Sequence, residues 1–327
     1  MFRSILLLSV IAMLFSCAKT EQEEIDSAVI EAKYHLNSMN CSKAQEVLDD
    51  IGFQDDDADY ISVYASAQAC YAGYKVLDVL FGGNLENIDS TNLIGSLTTF
   101  STSNETEADS TAYTAIQNAI TTLIESSGGS SPSTEDRNAK FGTQKSGDLS
   151  LQALYMIFVQ MGKFFALHGN VNASGVKGGG DPTGNSCLFS YTTSDAIDWI
   201  NDTTPGSCVA ATGSEGSDLL ESPETAADIK RRLCEGIILY NNMIDILSNI
   251  SIPGSDQLGD VGDIQTALTT LMTAAEAAET GTYNDGPATS TNAISSLNSV
   301  TSQDVCEAEE LDRIEKFYAI FFETIFQ

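Results

Sequence analysis

The most hydrophobic stretch beyond the amino-terminal region covers residues 149–167, and it constrains the fold more than any other feature. Residues 154–159 are hydrophobic without interruption, and Phe164 and Phe165 follow about one turn later. In a helix, such a segment is apolar around nearly its whole circumference, which predicts a central helix surrounded by other elements. Polar residues within it, among them Lys163, argue against a membrane span.

The segments on both sides of this helix show the same helical spacing of apolar residues. The predicted helices cover residues 25–39, 42–51, 60–81, 85–100, 107–124, 149–167, 195–200, 222–250, 263–278, 294–300 and 304–326. No segment alternates polar and apolar residues for long enough to predict a sheet. We therefore predict an all-α fold of about ten helices around the 149–167 helix, either a multi-helix bundle or a degenerate helical repeat array.

One helical domain is predicted over residues 25–327. The segment 126–133 is rich in serine and glycine, which is typical of a linker. It is either a boundary within the domain or a long loop. Residues 169–222 form a second long loop, and long loops are often functional. This loop is our candidate contact surface. The alternative is an insertion that a disulfide holds in place and that makes no functional contact.

The formal net charge of −31, from 46 acidic and 15 basic residues, excludes a class of partners. A surface this acidic repels nucleic acid and anionic lipid headgroups, so no nucleic-acid role is expected. Solubility alone accounts for such acidity. A cationic partner is the more specific interpretation.

Seven cysteines are present, and one of them, Cys17, belongs to the amino-terminal motif described below. The other six are Cys41, Cys70, Cys187, Cys208, Cys234 and Cys306. An even number in an exported chain favours disulfides, and proximity in sequence favours pairing them in that order. A metal site is disfavoured because no C-x-x-C occurs and because His35 and His168 lie far apart. We interpret His168 as a helix-capping side chain, with Gly169 in the left-handed conformation after it.

Two motifs resemble ligand sites but lack essential residues. Asp55, Asp57 and Asp59 have the opening spacing of a calcium loop, yet Tyr60 replaces its glycine and Ser66 its closing glutamate. The glycines at 178–180 lack the order of a phosphate loop, and no predicted strand precedes them. Neither motif is predicted to bind a ligand, and no cofactor is expected.

No familiar catalytic signature occurs in the chain. The G-x-S-x-G and H-E-x-x-H motifs and the kinase and dinucleotide-binding signatures are all missing from the sequence. A pair of carboxylates for glycan cleavage is the remaining catalytic possibility. Glu235 and Glu276, which lie in largely apolar predicted helices, are the candidates for it.

The first 17 residues have the layout of an export signal. Arg3 supplies a positive charge, residues 5–15 are almost continuously apolar, and the small residue Ser16 precedes Cys17. The apolar run is too short to span a bilayer as a mature helix. A plain signal peptide followed by a chance cysteine is the alternative interpretation.

Leu14, Ser16 and Cys17 together resemble the lipobox of bacterial lipoproteins. The resemblance implies that residues 1–16 are removed and that Cys17 carries diacylglycerol and an acyl chain such as palmitate. Residues 17–24 would then be a tether to the membrane. Ala18, where an aspartate would favour the inner membrane, implies the outer membrane instead. Phe15 is bulkier than the family usually has at that position.

The predicted helices between residues 25 and 81 resemble a tetratricopeptide (TPR) unit. Ala32 and Ala44 stand at its two small-residue positions, and Ser66 follows Ala32 by 34 residues. The early tryptophan and the closing proline of the repeat are missing. This arrangement is similar to degenerate repeats in accessory lipoproteins of periplasmic solute transporters. The alternative is an ordinary helical hairpin within a larger bundle.

These features together predict a lipid-anchored protein of the bacterial cell envelope that is not an enzyme. We expect it to act as a helical binding or scaffold module for another envelope protein, with its lipid anchor in the membrane. An accessory role in solute transport and a carboxylate-based cell-wall hydrolase are the alternatives.

Overall fold

The structure is a computed structural model, and it confirms the all-α prediction. It describes residues 20–74, 111–129, 131–169, 171, 187–189, 191–202, 225–249, 261–282 and 293–323. Within these ranges the chain forms twelve α-helices and no strand. The predicted signal 1–16, Cys17, the predicted helix 85–100 and the glycines at 178–180 lie outside the described residues.

The helices are numbered here in chain order. They are α1 (Glu21–Asn37), α2 (Cys41–Asp49), α3 (Ala58–Cys70), α4 (Thr111–Ile124), α5 (Thr134–Phe141), α6 (Thr143–Leu167), α7 (Ser194–Asp202), α8 (Ala226–Asn249), α9 (Val261–Thr282), α10 (Ala293–Leu297), α11 (Gln303–Glu307) and α12 (Leu311–Phe317). A 3-10 turn, Glu125–Ser127, follows α4, and a π-helical turn, Tyr318–Phe322, follows α12.

Helices α1, α2 and α3 pack against one another and form what we call the amino-terminal unit, residues 20–74. Its small core consists of Ile25, Val29, Ala32, Ala44, Leu48, Tyr60, Val63 and Ala67. The Tyr60 hydroxyl donates a hydrogen bond of 3.1 Å to the Leu48 carbonyl. Ala32 and Ala44 are fully buried, so the small positions identified in the sequence lie where the helices approach closely.

The remaining described helices form the body of the protein, with α6 at its centre. Helix α6 packs against α3, α4, α5 and α8, which confirms its predicted central position. Ile61, Ala65 and Ala69, on a second face of α3, join the core of the body. Helix α3 is therefore shared, and it connects the amino-terminal unit to the body through packed apolar side chains.

One glycine of the body has no space for a side chain. A Cβ at Gly236 of α8 would collide with the Tyr318 hydroxyl and the Phe164 ring. The Tyr318 hydroxyl instead donates 2.6 Å to the Leu233 carbonyl. The glycine thus lets α6, α8 and the π-helical turn meet at one level of the core.

The amino-terminal helices begin earlier than the apolar pattern predicts, because polar caps set their starts. Thr20 and Glu23 form a capping box, so α1 begins at Glu21 and takes up half of the predicted tether 17–24. Asn40, and not Ser42, caps α2 by accepting a hydrogen bond from the Lys43 amide. Apolar periodicity does not detect such caps, since they precede the buried residues.

Helix α3 shows the same effect at its start and a larger difference at its end. Asp57 caps it by accepting from the Tyr60 amide at 2.9 Å. The helix ends at Cys70, and Gly73 follows with a positive φ of 69°. The predicted continuation of the helix is therefore wrong over residues 71–74. Residues 75–81 of the prediction lie outside the described residues.

Helix α5 was missed because its sequence is polar and its one buried long side chain is an arginine, Arg137. The serine-rich segment at 126–133 is, where described, a short connection between α4 and α5. Ser126 within it is buried and donates to the Leu123 carbonyl. Its buried part therefore packs into the body.

Three predictions in the second half of the chain are corrected. Helix α8 begins at Ala226 and not at the predicted residue 222. The Thr225 hydroxyl caps it by accepting a hydrogen bond from the Asp228 amide. Helix α9 continues to Thr282, four residues beyond its predicted end at residue 278. The single predicted helix 304–326 is instead α11, α12 and the π-helical turn, since the chain turns at residues 308–310.

Candidate functional site

The body buries several carboxylates, and each of them holds backbone N–H groups or a cation. Glu315 of α12 accepts from the Thr192 and Thr193 amides, both at 2.8 Å, and from the Thr192 hydroxyl at 2.5 Å. These amides lie immediately before α7, where the helix dipole and the free N–H groups favour a negative charge. Glu315 therefore fixes the start of α7.

Glu279 has the equivalent role at α10. Its carboxylate accepts from the Ala293 amide at 2.5 Å and from the Ile294 amide at 3.0 Å. The Lys316 ammonium lies 3.5 Å away, and both charged side chains are almost fully buried. The ion pair together with the two amides satisfies this carboxylate.

Glu323 ties the carboxyl-terminal helices to the segment before α7. It accepts from the Leu188 amide and from the Tyr191 hydroxyl, both at 2.7 Å. Burial and the neighbouring Glu323 raise the pKa of Tyr191 well above its ordinary value, so the phenol stays a donor. All three glutamates therefore hold backbone N–H groups of distant segments in place.

Arg137 forms the fourth buried polar centre. Its guanidinium donates to the Ile124 carbonyl at 3.1 Å, to Thr134 Oγ1 at 2.8 Å and to Ser150 Oγ at 3.3 Å. Asp245 of α8 lies 3.5 Å from it and also accepts from the Thr134 amide at 2.7 Å. Four helical segments are therefore joined by one cation that sequence analysis did not identify.

Glu235, one of the two hydrolase candidates, also lies in a buried polar contact. It accepts from the Tyr113 hydroxyl at 3.3 Å and pairs with Arg231 at 3.0 Å. Burial, with Glu235 beside it, raises the pKa of Tyr113 well above its ordinary value. The second candidate, Glu276, lies on α9 and is half-buried. The partners shown for Glu235 are thus a phenol and a guanidinium.

His168 lies next to this cluster, and its predicted role as a capping side chain is wrong. The residue ends α6 through its backbone, but its ring is fully buried and, among the described residues, neither ring nitrogen has a hydrogen-bond partner. Burial, together with Arg232 and Arg231, lowers its pKa to about 3. Gly169 is not in the left-handed region, and a Cβ there would lie 2.9 Å from the Phe165 carbonyl. A neutral, unpartnered imidazole of this kind neither caps a helix nor carries charge at neutral pH.

Two of the three predicted disulfides are confirmed. Cys41 pairs with Cys70 in the amino-terminal unit, and Cys234 of α8 pairs with Cys306 of α11. Cys187 is also disulfide-bonded. Its predicted partner Cys208 lies outside the described residues, so the Cys187–Cys208 pairing stays a prediction that non-reducing peptide mapping can check.

The aspartates of the calcium-like motif have other partners. Asp57 caps α3, and Asp59 pairs with Lys145 of α6 at 2.6 Å. Asp55 lies 3.8 Å from Lys140 of α5. Among the described residues, no group of three or more histidine, cysteine, aspartate or glutamate side chains is arranged to hold a metal ion.

The amino-terminal unit differs from the body in exposing apolar side chains. Five large apolar residues are exposed in the described part of the chain: Ile30, Tyr34, Met39, Phe53 and Tyr71. All five belong to this unit. Ile30 and Tyr34 are the most exposed, at 68% and 70%, and they lie one turn apart on α1. No motif marks these two residues, although the buried residues of α1, which recur at helical spacing, leave both on the opposite face.

No protein-family model, curated protein or solved structure matches this chain. Within the described ranges, no helix combines the length and the apolarity needed to cross a membrane.

Proposed function

We propose that the protein is a lipid-anchored, noncatalytic binding or scaffold module of the bacterial cell envelope. We place its anchor in the outer membrane rather than in the inner membrane. The signal-like residues before Cys17 support the anchor. The observation that carries the binding role is the concentration of exposed apolar side chains in the amino-terminal unit. Ile30 and Tyr34 lie one turn apart on the outer face of α1, and paired exposed apolar side chains of this kind are typical of sites that contact another protein.

The buried acids argue for a structural body and against a hydrolase. Glu279, Glu315 and Glu323 are occupied by backbone amides, and Glu235 by Tyr113 and Arg231. A glycosidase instead needs two carboxyl groups that face one substrate, with one of them free to donate a proton. The body therefore acts as a rigid support, and binding is assigned to the amino-terminal unit.

An accessory role in solute transport is the second candidate. The observation that favours it is the close packing of Ala32 and Ala44, both with 0% exposure, at the small positions of a TPR-like hairpin. This role would be one form of the binding function, in which the bound protein belongs to a transport system.

The anchor is tested with Cys17→Ser in the native cell. Metabolic labelling with an alkyne analogue of palmitate should mark the wild-type protein and Ser4→Ala, which also alters the leader, but not Cys17→Ser. The Cys17→Ser protein should leave the membrane fraction or keep its signal. If Cys17→Ser still incorporates the palmitate label, Cys17 is not the lipid site.

The binding role is tested by photo-crosslinking in intact cells. A photoreactive amino acid at position 34 should form a discrete adduct with an envelope protein, because Tyr34 is exposed on the proposed surface. The same amino acid at position 114, an exposed site on α4 of the body, is the control. Equal adducts at both positions, or none at either, would contradict a binding role for the amino-terminal unit.

A further inference from the structure

We propose that the outer face of α1 docks a basic, amphipathic segment of another protein, with Ile30 and Tyr34 as the apolar anchors. The inference rests on the proposed binding function and names the chemistry of its partner. It is carried by the exposure of the two anchors and by the charge that surrounds them.

The two anchors have the geometry of a helical docking stripe. They are four residues apart, so their side chains are neighbours on one face of α1. The buried residues of α1, Ile25, Ala28, Val29 and Ala32, lie on the other face. With 17 residues, α1 is long enough, at about 25 Å, for a partner helix of four turns to lie along it. An exposed tyrosine is also among the side chains that contribute most to protein interfaces.

The charges around the anchors select a basic partner. Glu24, Asp26 and Glu31 are exposed on α1, and Lys33 is its one lysine or arginine. The whole amino-terminal unit contains twelve acidic residues against two lysines. A segment with lysine or arginine on both sides of an apolar stripe complements this face. Such complementarity mainly sets the rate of encounter and the choice of partner.

The same charges disfavour the other occupants of an apolar face. A second copy of this chain would bring its own twelve acidic residues against the first, and the repulsion would oppose docking. An anionic lipid surface is repelled in the same way. A cationic polypeptide is the occupant that gains from both the apolar and the acidic character of α1.

The end of α1 adds a second unusual feature near the anchors. Met39 is the only non-glycine residue with a positive φ, 54°, among the described residues, and its side chain is 39% exposed. It occupies the position after the helix at which glycine is normal, and the Asn40 and Met39 amides close the turn by donating to His35 and Leu36. Strained backbone is often retained where it serves a function, which makes the Met39 side chain a candidate for contact with the same partner.

The test measures binding of fluorescent synthetic peptides to the full-length protein in a mild nonionic detergent. The first peptide is a helix-forming 16-residue sequence of about four turns with leucine on one face and lysine on the flanks. The second replaces every lysine by glutamate, and the third has the composition of the first in an order without an amphipathic face. We expect only the first to bind, and its affinity to fall about fivefold or more on raising the salt concentration, because the contacts between charges are screened.

Two protein variants locate the site. Ile30→Ala/Tyr34→Ala should weaken binding of the lysine peptide at least tenfold without lowering the melting temperature, since both side chains are exposed. Thr114→Ala/Asn118→Ala changes two exposed residues with the same spacing on α4 and should bind as the wild type does. Asp26→Asn/Glu31→Gln should lose most of the salt dependence, whereas Glu135→Gln on α5 should keep it.

Each alternative outcome has a distinct meaning. Equal binding of the lysine and glutamate peptides, both reduced by the Ile30/Tyr34 variant, would overturn the basic partner and leave the proposed binding function intact. No binding at about 1 mM peptide, the weak end of specific affinities, would overturn the inference. If sedimentation then shows a dimer that Ile30→Ala/Tyr34→Ala dissociates, a second copy is the occupant. Failure of the crosslinking at position 34 as well would remove the proposed function itself.

Discussion

The amino-terminal unit and the body place polar and apolar groups in opposite ways. The body buries charge: Arg137, Glu279, Glu315, Lys316 and Glu323 are each almost or completely inaccessible to solvent. The unit keeps its charges at the surface, as in the Lys43–Glu46 pair, and exposes the five apolar side chains. Desolvated charges must be satisfied in one arrangement, whereas exposed apolar groups remain available for contact.

We infer from this difference that the body provides rigid support and that the amino-terminal unit provides the surface for recognition. In the body, buried carboxylates fix the starts of the short helices α7 and α10, which could not be stable alone. In the unit, a small apolar core and the Cys41–Cys70 disulfide hold three helices so that one face of α1 stays open to solvent. Four predictions test the separation, beginning with the largest expected effect.

Arg137→Met should destabilise the protein by roughly 3–5 kcal/mol, since it removes a buried cation, leaves its buried acceptors without a donor and deprives a carboxylate of its ion pair. The groups that lose a donor are Asp245, Ser150, Thr134 and the Ile124 carbonyl. Urea unfolding followed by circular dichroism measures the change. Lys43→Met in the amino-terminal unit is the control and should leave the midpoint unchanged, because the Lys43–Glu46 pair is exposed. Equal losses in both variants would remove the distinction between the two regions.

His168→Leu should reduce the sensitivity of the protein to acid. In the folded state the pKa of His168 is about 3, below the ordinary 6.5, so the unfolded chain binds the proton more readily. The stability lost by protonation is therefore zero above about pH 6.5 and grows as the pH falls toward 3. At about pH 4 the loss is roughly 3 kcal/mol.

The measurement is the unfolding free energy of wild type and His168→Leu between neutral pH and about pH 4. The two curves should converge or cross as the pH falls, with the variant losing less stability. His35→Leu on α1, which alters a histidine paired with Glu31 at 3.8 Å on the surface of the amino-terminal unit, is the matched control. Parallel curves for wild type and His168→Leu would show that the ring is accessible to protons in the folded state.

The sequence was sufficient for the fold class and for the centre of the core. Residues 154–159 are hydrophobic on every side of a helix, and only a surrounded position satisfies them. Helix α5 and the break after α11 were not predictable in this way. Helix α5 depends on polar contacts between distant segments, such as Arg137 with Asp245, which are 108 residues apart. Helix α11 is joined to α8 by the Cys234–Cys306 disulfide, also a contact between distant segments. Periodicity is a local property and carries no information about such partners.

The candidate site was predictable only in part. The apolar stripe of α1 contains Ile25, Val29 and Ala32, and its geometry already leaves Ile30 and Tyr34 on the outer face. Whether another helix covers that face is a tertiary question, which the structure answers by their exposure. The opposite error concerned His168, where a helix-terminal position suggested a solvated cap and the fold instead buries the ring.

Ala44→Leu should destabilise the amino-terminal unit by roughly 1–3 kcal/mol, because the residue is fully buried and the added atoms have no space. The measurement is hydrogen exchange, which should show lost protection in α1 and α2. Ala139→Leu makes the same change at an exposed position of α5 and should have little effect. If α1 keeps its protection in Ala44→Leu, the three helices do not depend on this close contact, and the TPR-like interpretation of the small positions fails.

Met39→Gly should have the smallest effect and the opposite sign. A left-handed backbone costs an L-residue about 1–2 kcal/mol, and glycine removes this strain. Glycine also loses more conformational entropy on folding, which offsets part of the stabilisation. We expect a net stabilisation of roughly 0.5–1 kcal/mol by thermal unfolding. Gly73→Ala is the matched control, since φ is 69° there and nothing lies within 4 Å of the added Cβ, so it should lose stability through strain alone.

If Met39→Gly is more stable but binds the lysine peptide less tightly, the methionine is retained for contact rather than for folding. If it is more stable and binds equally well, the strain at the end of α1 has no part in recognition.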